Sequence, residues 1–241
     1  MVTANKQNNF NIRCEWGERG IDTLITDSDS IIIVDVLSFS TCVAVAVDNQ
    51  AIVYPFYSTE MTASDYADKN KALLATKDRN TSAYTLSPTS LMTIPAKTRI
   101  VLPSPNGSLL STITGTIPTF AGCLRNAKRV AQAASQFGKR VSVIPAGERW
   151  FEMDFSLRPS MEDWIGAGAI IYYLSGEKSI EAQAAEYSFR QFRNDLHGCF
   201  QKIGSGIELI EKGFAEDVRL ASDLNISDSA PFLQNSAYQA I

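Results

Sequence analysis

The stretch Ser30-Ile-Ile-Ile-Val-Asp-Val-Leu37 decides how the rest of the chain is interpreted. Its apolar, β-branched run has the length and composition of a strand that is buried on both faces, as strands of parallel sheets are. Ser40 or Thr41 can then cap a helix, which we expect to run through Val47. The stretch therefore predicts a strand followed by a helix, with Asp35 near the carboxyl end of the strand.

Strands and helices alternate along the rest of the chain as well. We expect further strands at residues 10–16, 51–57, 99–102, 116–121 and 140–144, and helices at 59–77, 124–137, 161–174 and 180–195. This alternation is typical of an α/β fold with a mixed, largely parallel sheet flanked by helices. The C-terminal third is expected to be mostly helical. We expect one α/β domain over residues 1–241, with room for two lobes.

Composition excludes several classes of protein. The net charge of −4 argues against a broad nucleic-acid surface, which needs clustered Lys and Arg. The longest apolar run, residues 164–174, has 11 residues, whereas a membrane helix needs about 20. The four cysteines are widely spaced and form no CxxC pair, which favours a reducing cytoplasm over a disulfide framework. We therefore expect a cytoplasmic protein with no nucleic-acid or membrane partner.

Asp35 is the strongest single pointer to a functional site. A carboxylate in an otherwise apolar strand costs several kcal/mol of desolvation unless a cation or hydrogen-bond donors compensate. One interpretation is a magnesium ligand or a nucleophile at the strand end, where ligands of open α/β sheets bind. The alternative is an aspartate that accepts backbone N–H groups in a turn.

Two other predicted strands also end in polar, turn-forming sequences. Ser104-Pro-Asn-Gly-Ser108 follows one, and Glu148 follows the other through Pro145-Ala-Gly147. Glycine allows backbone amides to approach an anion, although an ordinary Asn–Gly turn has the same letters. A further strand end carries Arg125, which could bind a phosphate or sulfonate or could lie in solvent.

Glu162 and Asp163 begin the predicted helix over residues 161–174. Carboxylate oxygens are the ligands that magnesium prefers, usually one or two of them together with waters. The same letters, beginning at Ser160, also match a capping box, in which acidic side chains stabilise the first turn. The sequence leaves both interpretations open.

Taken in order, the motifs resemble those of the ComB-like 2-phosphosulfolactate phosphatase family. They are Asp35-Val-Leu37 with Ser40-Thr41, Pro105-Asn-Gly-Ser108, Asn126-Ala127, Pro145-Ala-Gly-Glu148, Glu162-Asp163 with Gly166-Ala-Gly168, and Gly213-Phe214 with Asp217-Val218 and Ala221. The resemblance implies magnesium-dependent hydrolysis of 2-phosphosulfolactate to sulfolactate and phosphate, as in coenzyme M biosynthesis. One position departs from the family, which usually has Arg-Ala after Asp-Val-Leu where this chain has Ser38-Phe39.

The mechanism expected from these residues is metal-assisted phosphoryl transfer to water. Magnesium would be held among Asp35, Glu148, Glu162 and Asp163, with Asp35 as a ligand or as the nucleophile and Glu148 as a second catalytic group. The candidate substrate-binding residues are Ser40, Thr41, Asn106, Gly107, Ser108, Arg125, Asn126 and Arg149. The substrate class is a small phosphorylated, sulfonated acid, and a homodimer is a further expectation. Because Ser38 replaces a guanidinium, a phosphatase for another phospho-acid or a catalytically silent anion-binding protein are the alternatives.

Overall fold

The computed structural model describes residues 6–76, 82–150 and 154–241. The strands are β1 Ile12–Cys14, β2 Ser30–Val34, β3 Ile52–Phe56, β4 Leu73–Leu74, β5 Arg99–Pro103, β6 Thr119–Gly122, β7 Val141–Pro145, β8 Glu148–Arg149, β9 Leu157–Arg158, β10 Pro231–Gln234 and β11 Ala237–Ala240. The helices are α1 Gly17–Leu24, α2 Phe39–Asp48, α3 Ala63–Asn70, α4 Pro88–Leu91, α5 Gly107–Thr112, α6 Ala127–Ala134, α7 Met161–Tyr173, α8 Ile180–Phe192, α9 Leu196–Phe200, α10 Gly204–Glu211 and α11 Ala215–Ser222. Short 3₁₀ turns cover Ile25–Asp27 and Leu124–Asn126.

Nine of these strands form one sheet in the order β1-β7-β2-β6-β10-β11-β3-β5-β4, and β8 and β9 form a separate hairpin. The pairs β1/β7, β7/β2, β2/β6, β3/β5 and β5/β4 are parallel. The hairpin β10/β11 is antiparallel and is inserted between β6 and β3. The predicted fold class, a mixed and largely parallel sheet flanked by helices, is confirmed.

The apolar run of β2 is explained by burial on both faces of the sheet. Ile32 points to the face covered by α6 and α7, in one core cluster with Phe120 and Ile170. Ile33 belongs to a cluster on the opposite face, where it packs near Leu110 of α5 and residues of α1. A strand with helices on both sides needs apolar side chains at every position, which is the pattern that the sequence has.

The sheet is strongly curved, and this curvature positions the site. β5 stands five places from β2 in the strand order, which on a flat sheet would separate the two by about 24 Å. The hydroxyl of Ser104, directly after β5, nevertheless lies 3.5 Å from Oδ2 of Asp35, directly after β2. The carboxyl ends of distant strands therefore face each other across a concave edge.

Several expectations from the sequence are corrected by the structure. Helix α2 begins at Phe39 with Ser38 as its N-cap residue and no side-chain cap, so Ser40 and Thr41 lie inside the helix and do not cap it. The predicted helix over residues 59–77 is reduced to α3, because Lys71 adopts a left-handed conformation that ends it. Its last residue, 77, lies outside the described part of the chain.

The C-terminal third contains the helices α7 to α11, which confirms its predicted helical character. The glycines of α7 permit close packing, since a Cβ at Gly168 would lie 2.0 Å from the carbonyl oxygen of Ala185 in α8. After α11 the chain returns to the sheet as β10 and β11, which the sequence did not predict. Among the helices of the described ranges, none has the length and apolar character needed to cross a membrane.

Candidate active site

Four acidic side chains lie together at the concave edge of the sheet. Asp35 follows β2, Glu148 follows β7 at the start of the β8/β9 hairpin, and Glu162 and Asp163 occupy the first turn of α7. Their negative charges raise one another's pKa values: Glu148 and Glu162 act on Asp35, and Asp35 and Glu162 act on Asp163. The four residues that the sequence proposed as an acidic site are therefore neighbours in space.

Asp163 ties two strand ends together. Its Oδ1 accepts a 2.7 Å hydrogen bond from the backbone amide of Val36, and its Oδ2 accepts one of 2.9 Å from that of Gly147. Val36 follows Asp35 and Gly147 precedes Glu148 in the chain. The carboxylate of Asp163, which is 3% exposed, thereby fixes the distance between the backbone segments that carry Asp35 and Glu148.

The capping-box interpretation of Glu162 and Asp163 is wrong. Ser160 is the N-cap residue of α7, but its side chain accepts no capping hydrogen bond from the helix. Its hydroxyl contacts the carbonyl oxygen of Arg158 instead, at 3.5 Å. The carboxylate of Asp163 binds amides of other elements, so its position in the first turn serves the site and not the helix end.

Asp35 is bound by backbone amides from two loops. Its Oδ1 accepts from the amide of Phe39 at 3.1 Å, and its Oδ2 accepts from that of Gly107 at 2.9 Å. The alternative interpretation of Asp35, an acceptor of backbone N–H groups, is thus observed. It does not exclude a ligand or nucleophile, because an ionised carboxylate has about four acceptor positions. The two amides use two of them, and the Ser104 hydroxyl approaches a third at 3.5 Å.

The loop after β5 binds two of the carboxylates at once. Asn106 donates from Nδ2 to Oε1 of Glu148 at 3.0 Å, while the next residue, Gly107, binds Asp35. A Cβ at Gly107 would lie 2.3 Å from Cδ1 of Phe39 and 2.8 Å from Oδ2 of Asp35, so only glycine fits. The Gly107 amide that was expected to bind a substrate anion is occupied by a protein carboxylate.

Burial and mutual repulsion make this site a place of high proton affinity. The pKa of Asp35 is raised to about 7, chiefly by burial, against the opposing effect of its two amide donors. Burial also raises the pKa of Glu162, and it raises the pKa of Asp163 well above its usual range. Within residues 6–76, 82–150 and 154–241, no Lys, Arg or His nitrogen lies within 4.0 Å of these carboxylates or of Glu148.

The donor chemistry fits a hard divalent cation. Such an ion would offset the repulsion between carboxylates that no protein cation of the described residues neutralises directly. In the described part of the chain, no three His, Cys, Asp or Glu side chains converge closely enough to share one metal ion. Magnesium does not require three, because it usually binds through one or two carboxylates and keeps several waters.

Ser40 and Thr41 hold the backbone on either side of the Asp35 side chain. The hydroxyl of Ser40 accepts from the amide of Asp35 at 3.0 Å, and that of Thr41 donates to the carbonyl of Val36 at 2.7 Å. Both residues are fully buried. These contacts support a positioning role in place of the substrate contact expected from the sequence.

Three further candidates are also engaged in internal contacts. Ser108 donates to the carbonyl of Leu102 at 2.7 Å. Asn126 accepts from the amide of Cys123 at 2.9 Å. Arg125 is 5% exposed and forms a salt bridge of 3.1 Å with Asp223. Its burial contradicts the interpretation of Arg125 as a surface residue, and its bonds to Leu220 and Asp223 fasten the end of α11 to the turn after β6. Its predicted contact with a substrate anion stays a prediction.

Arg149 and Arg158 stand on the hairpin next to the carboxylates. Arg149 pairs with Glu18 of α1, and its predicted contact with substrate stays a prediction. The antiparallel register places Arg158 directly opposite Glu148. The sequence did not predict this position for Arg158. Two-residue strands carry no periodic signal, so nothing in the sequence indicated this pairing.

The fold and this site define a class: an α/β protein with four carboxylates clustered at one edge of its sheet, two after strands and two at the start of a helix. The sequence profile of the 2-phosphosulpholactate phosphatase family matches residues 21–236. The chain belongs to this family.

Curated relatives carry the same description. A "Probable 2-phosphosulfolactate phosphatase" from Carboxydothermus hydrogenoformans is 34% identical over 148 residues, which span 60% of this chain and 59% of that protein. The "2-phosphosulfolactate phosphatase" of Methanothermobacter thermautotrophicus is 27% identical over 83% of this chain and 84% of its own length. A "Probable 2-phosphosulfolactate phosphatase" from Caldanaerobacter subterraneus is 26% identical over 86% of this chain and 88% of its own.

Proposed function

We propose that this protein is a magnesium-dependent phosphate-monoester hydrolase that converts 2-phosphosulfolactate to sulfolactate and phosphate. The observation that carries the proposal is the cluster of four carboxylates, with Asp35, Glu162 and Asp163 buried and Glu148 half-buried, whose backbones Asp163 and the Asn106–Gly107 loop tie together. Membership of the family and the names of the curated relatives support the reaction and the substrate.

Asp35, Glu148, Glu162 and Asp163 would hold the metal ion, through one or two of their carboxylates and water. Magnesium, when bound, offsets negative charge on the phosphate group. The protein contributes the rigidity of the site. Because both oxygens of Asp163 are fixed by backbone amides, the carboxylates of Asp35 and Glu148 are held in place before substrate arrives.

Asp35 is the proposed proton acceptor. In the metal-free protein its pKa is raised to about 7, chiefly by burial. A bound magnesium ion would favour the ionised form, which can take a proton from an attacking water at an Oδ atom. Direct attack on phosphorus by an Oδ atom of Asp35 is the other chemical route for the same carboxylate.

Glu148 is bound by the loop after β5, the same loop that binds Asp35. Its Oε1 accepts hydrogen bonds from Nδ2 of Asn106 at 3.0 Å and from the amide of Arg149 at 2.9 Å. These donors orient the carboxylate toward the acidic cluster. Glu148 is therefore proposed as the second catalytic group, and Asn106 as the residue that positions it.

Ser38 favours a second candidate for the substrate. It is 4% exposed and stands where the family usually has an arginine, so a fork of donors for a phosphate or sulfonate is replaced by one hydroxyl. A phosphatase acting on a related phospho-acid would use the same carboxylates. A catalytically silent protein that binds a small anion is the alternative outside enzyme function.

Release of inorganic phosphate tests these candidates together. The purified protein would be incubated with 2-phosphosulfolactate and a panel of other phospho-acids, with magnesium and with a chelator. The proposal expects turnover that requires magnesium and is fastest with 2-phosphosulfolactate. Faster turnover of another phospho-acid would change the substrate, and ligand-induced thermal stabilisation without turnover of any compound would support the silent protein.

A further inference from the structure

Arg158 is a cation beside the acidic cluster, and it takes part in none of the salt bridges among the described residues. It lies in β9, where the antiparallel register sets it directly opposite Glu148. In the part of the chain that the structure describes, no Asp or Glu oxygen comes within 4.0 Å of its guanidinium nitrogens. A half-buried arginine that forms no salt bridge with the described residues keeps most of its N–H donors available for an anionic ligand.

Two neighbouring side chains hold the guanidinium in place. Its Nη2 donates to the hydroxyl of Ser205 at 3.3 Å, and its Cζ lies 5.7 Å from the ring centroid of Trp150. The Ser205 hydroxyl and the charge of Arg158 both oppose the rise in the pKa of Glu162 that burial causes. The Arg158 side chain is therefore close enough to act on the charge of Glu162, but it forms no salt bridge with it.

The other arginines near the site differ in this respect. Arg125 forms its salt bridge with Asp223, and Arg149 pairs with Glu18. Arg158 has five N–H donors, of which one binds Ser205. Its remaining donors can form the parallel pair of hydrogen bonds that a planar guanidinium makes with an oxyanion.

We propose that Arg158 is a specificity-determining residue that binds the anionic group of the substrate that is not transferred, a sulfonate or a carboxylate. The inference rests on the proposed function. An acidic cluster repels a substrate that carries several negative charges, so a nearby cation that forms no salt bridge with the described residues favours binding of such a substrate. Ser38 cannot supply it, since a hydroxyl is uncharged.

The position of Arg158 distinguishes the retained anionic group from the phosphate. Asp35, the proposed acceptor of the proton, is 5% exposed and lies at the sheet edge. Arg158 lies on the separate hairpin, opposite Glu148 in the register and beside the half-exposed ring of Trp150. With the phosphate at Asp35, the retained anionic group is assigned to Arg158 because this cation lies on a different element next to Glu148.

Steady-state kinetics with three substrates test this inference. They are 2-phosphosulfolactate, 2-phospholactate, which lacks the sulfonate, and O-phosphoisethionate, which lacks the carboxylate. Arg158→Gln is expected to raise KM for 2-phosphosulfolactate roughly 10- to 100-fold, the effect of losing a charge-assisted hydrogen bond, with kcat nearly unchanged. The substrate that lacks the recognised group should show no such rise, and Arg158→Lys should restore part of the affinity.

Arg193→Gln is the matched control. Arg193, at the end of α8, has the same kinds of partner: its Cζ lies 5.7 Å from the ring centroid of Tyr172, and its Nη1 is 3.5 Å from the Tyr172 hydroxyl. Its substitution should leave KM and kcat unchanged for every substrate. Thermal melts of all variants would identify effects that come from loss of folding.

The outcomes separate this inference from the proposed function. An equal fall in kcat for all three substrates, or an unchanged preference among them, would overturn the role of Arg158 and leave the phosphatase intact. If the wild type hydrolyses none of them, the proposed function fails. Sulfolactate binding by calorimetry then decides on Arg158: weaker binding by Arg158→Gln supports the inference, and equal binding overturns it.

Discussion

The carboxylate of Asp163 accepts a 2.7 Å hydrogen bond from the backbone amide of Val36, a residue 127 positions away in the chain. Its second oxygen binds the amide of Gly147. Because these amides flank Asp35 and Glu148, the start of α7 determines how far apart two proposed catalytic carboxylates lie. The site therefore depends on a residue whose own oxygens both face the backbone.

Replacing Asp163 with alanine is expected to weaken both folding and activity. The substitution leaves two buried amides without acceptors, which costs at least about 2 kcal/mol in the free energy of unfolding. Urea unfolding measures this loss, and phosphate release measures the accompanying loss of turnover.

Asp195→Ala provides the comparison for that variant. Asp195 also accepts a backbone hydrogen bond, from Gly198 at 2.9 Å, but at an exposed helix end. Its loss should cost about 1 kcal/mol, as for other N-cap residues, and should leave turnover unchanged. Equal stability loss in the two variants would show that the buried bridge has no special importance.

Gly107→Ala is expected to displace Asp35. The new Cβ would come within 2.3 Å of the Phe39 ring, which is fully buried and packs against Tyr238. Because the ring cannot move away, the loop should shift and the hydrogen bond to Asp35 should break. We expect a loss of stability of about 1–3 kcal/mol and a fall in kcat of roughly 100-fold.

Gly115→Ala controls for the general cost of adding a methyl group. Gly115 has a positive φ of +62°, and no atom lies within 4 Å of the position of its Cβ. The change should cost about 1–2 kcal/mol of backbone strain and leave kcat unaltered. If both glycine variants kept full activity, the contact between Gly107 and Asp35 would be irrelevant to catalysis.

The stability of the metal-free protein should fall as pH rises from about 5 to about 8. The pKa of Asp35 is raised to about 7, and burial raises the pKa values of Glu162 and Asp163. The folded protein therefore holds protons that the unfolded chain releases near pH 4, and this stability is lost as the folded groups ionise. Thermal melts should show a fall in Tm of at least about 3 °C across this range.

Magnesium should reduce that pH dependence, because a bound cation favours the ionised carboxylates. Melts at both ends of the range, with magnesium and with a chelator, would measure the difference. A Tm that is constant or rises with pH in the chelated protein would mean that the folded protein does not hold protons on these carboxylates.

The central strand and the acidic residues could be predicted because their signals are local. An apolar run of strand length places β2, and a carboxylate within it marks Asp35. The insertion of β10 and β11 could not be predicted, because the segment is short, begins with a proline and carries polar residues. Its place in the sheet depends on pairing with β6 and β3, which are distant in the chain.

The roles of individual side chains were the least predictable feature. The sequence from Ser160 to Asp163 fits a capping box as well as a metal site. Only the hydrogen bond from the amide of Val36 to Asp163 distinguishes the two interpretations. Arg125 follows a strand end as an anion ligand would, yet its salt-bridge partner is Asp223, directly after α11. Such choices depend on contacts between residues far apart in sequence, which local patterns do not contain.

Asp35→Asn is the most direct test of the central claim, that the buried carboxylates perform magnesium-dependent hydrolysis. The amide has nearly the shape of the carboxylate but cannot take up a proton as it does. We predict that magnesium-dependent release of phosphate from 2-phosphosulfolactate falls at least roughly 100-fold while the variant remains folded by thermal melt. Release at the wild-type rate by a folded Asp35→Asn protein would contradict the claim.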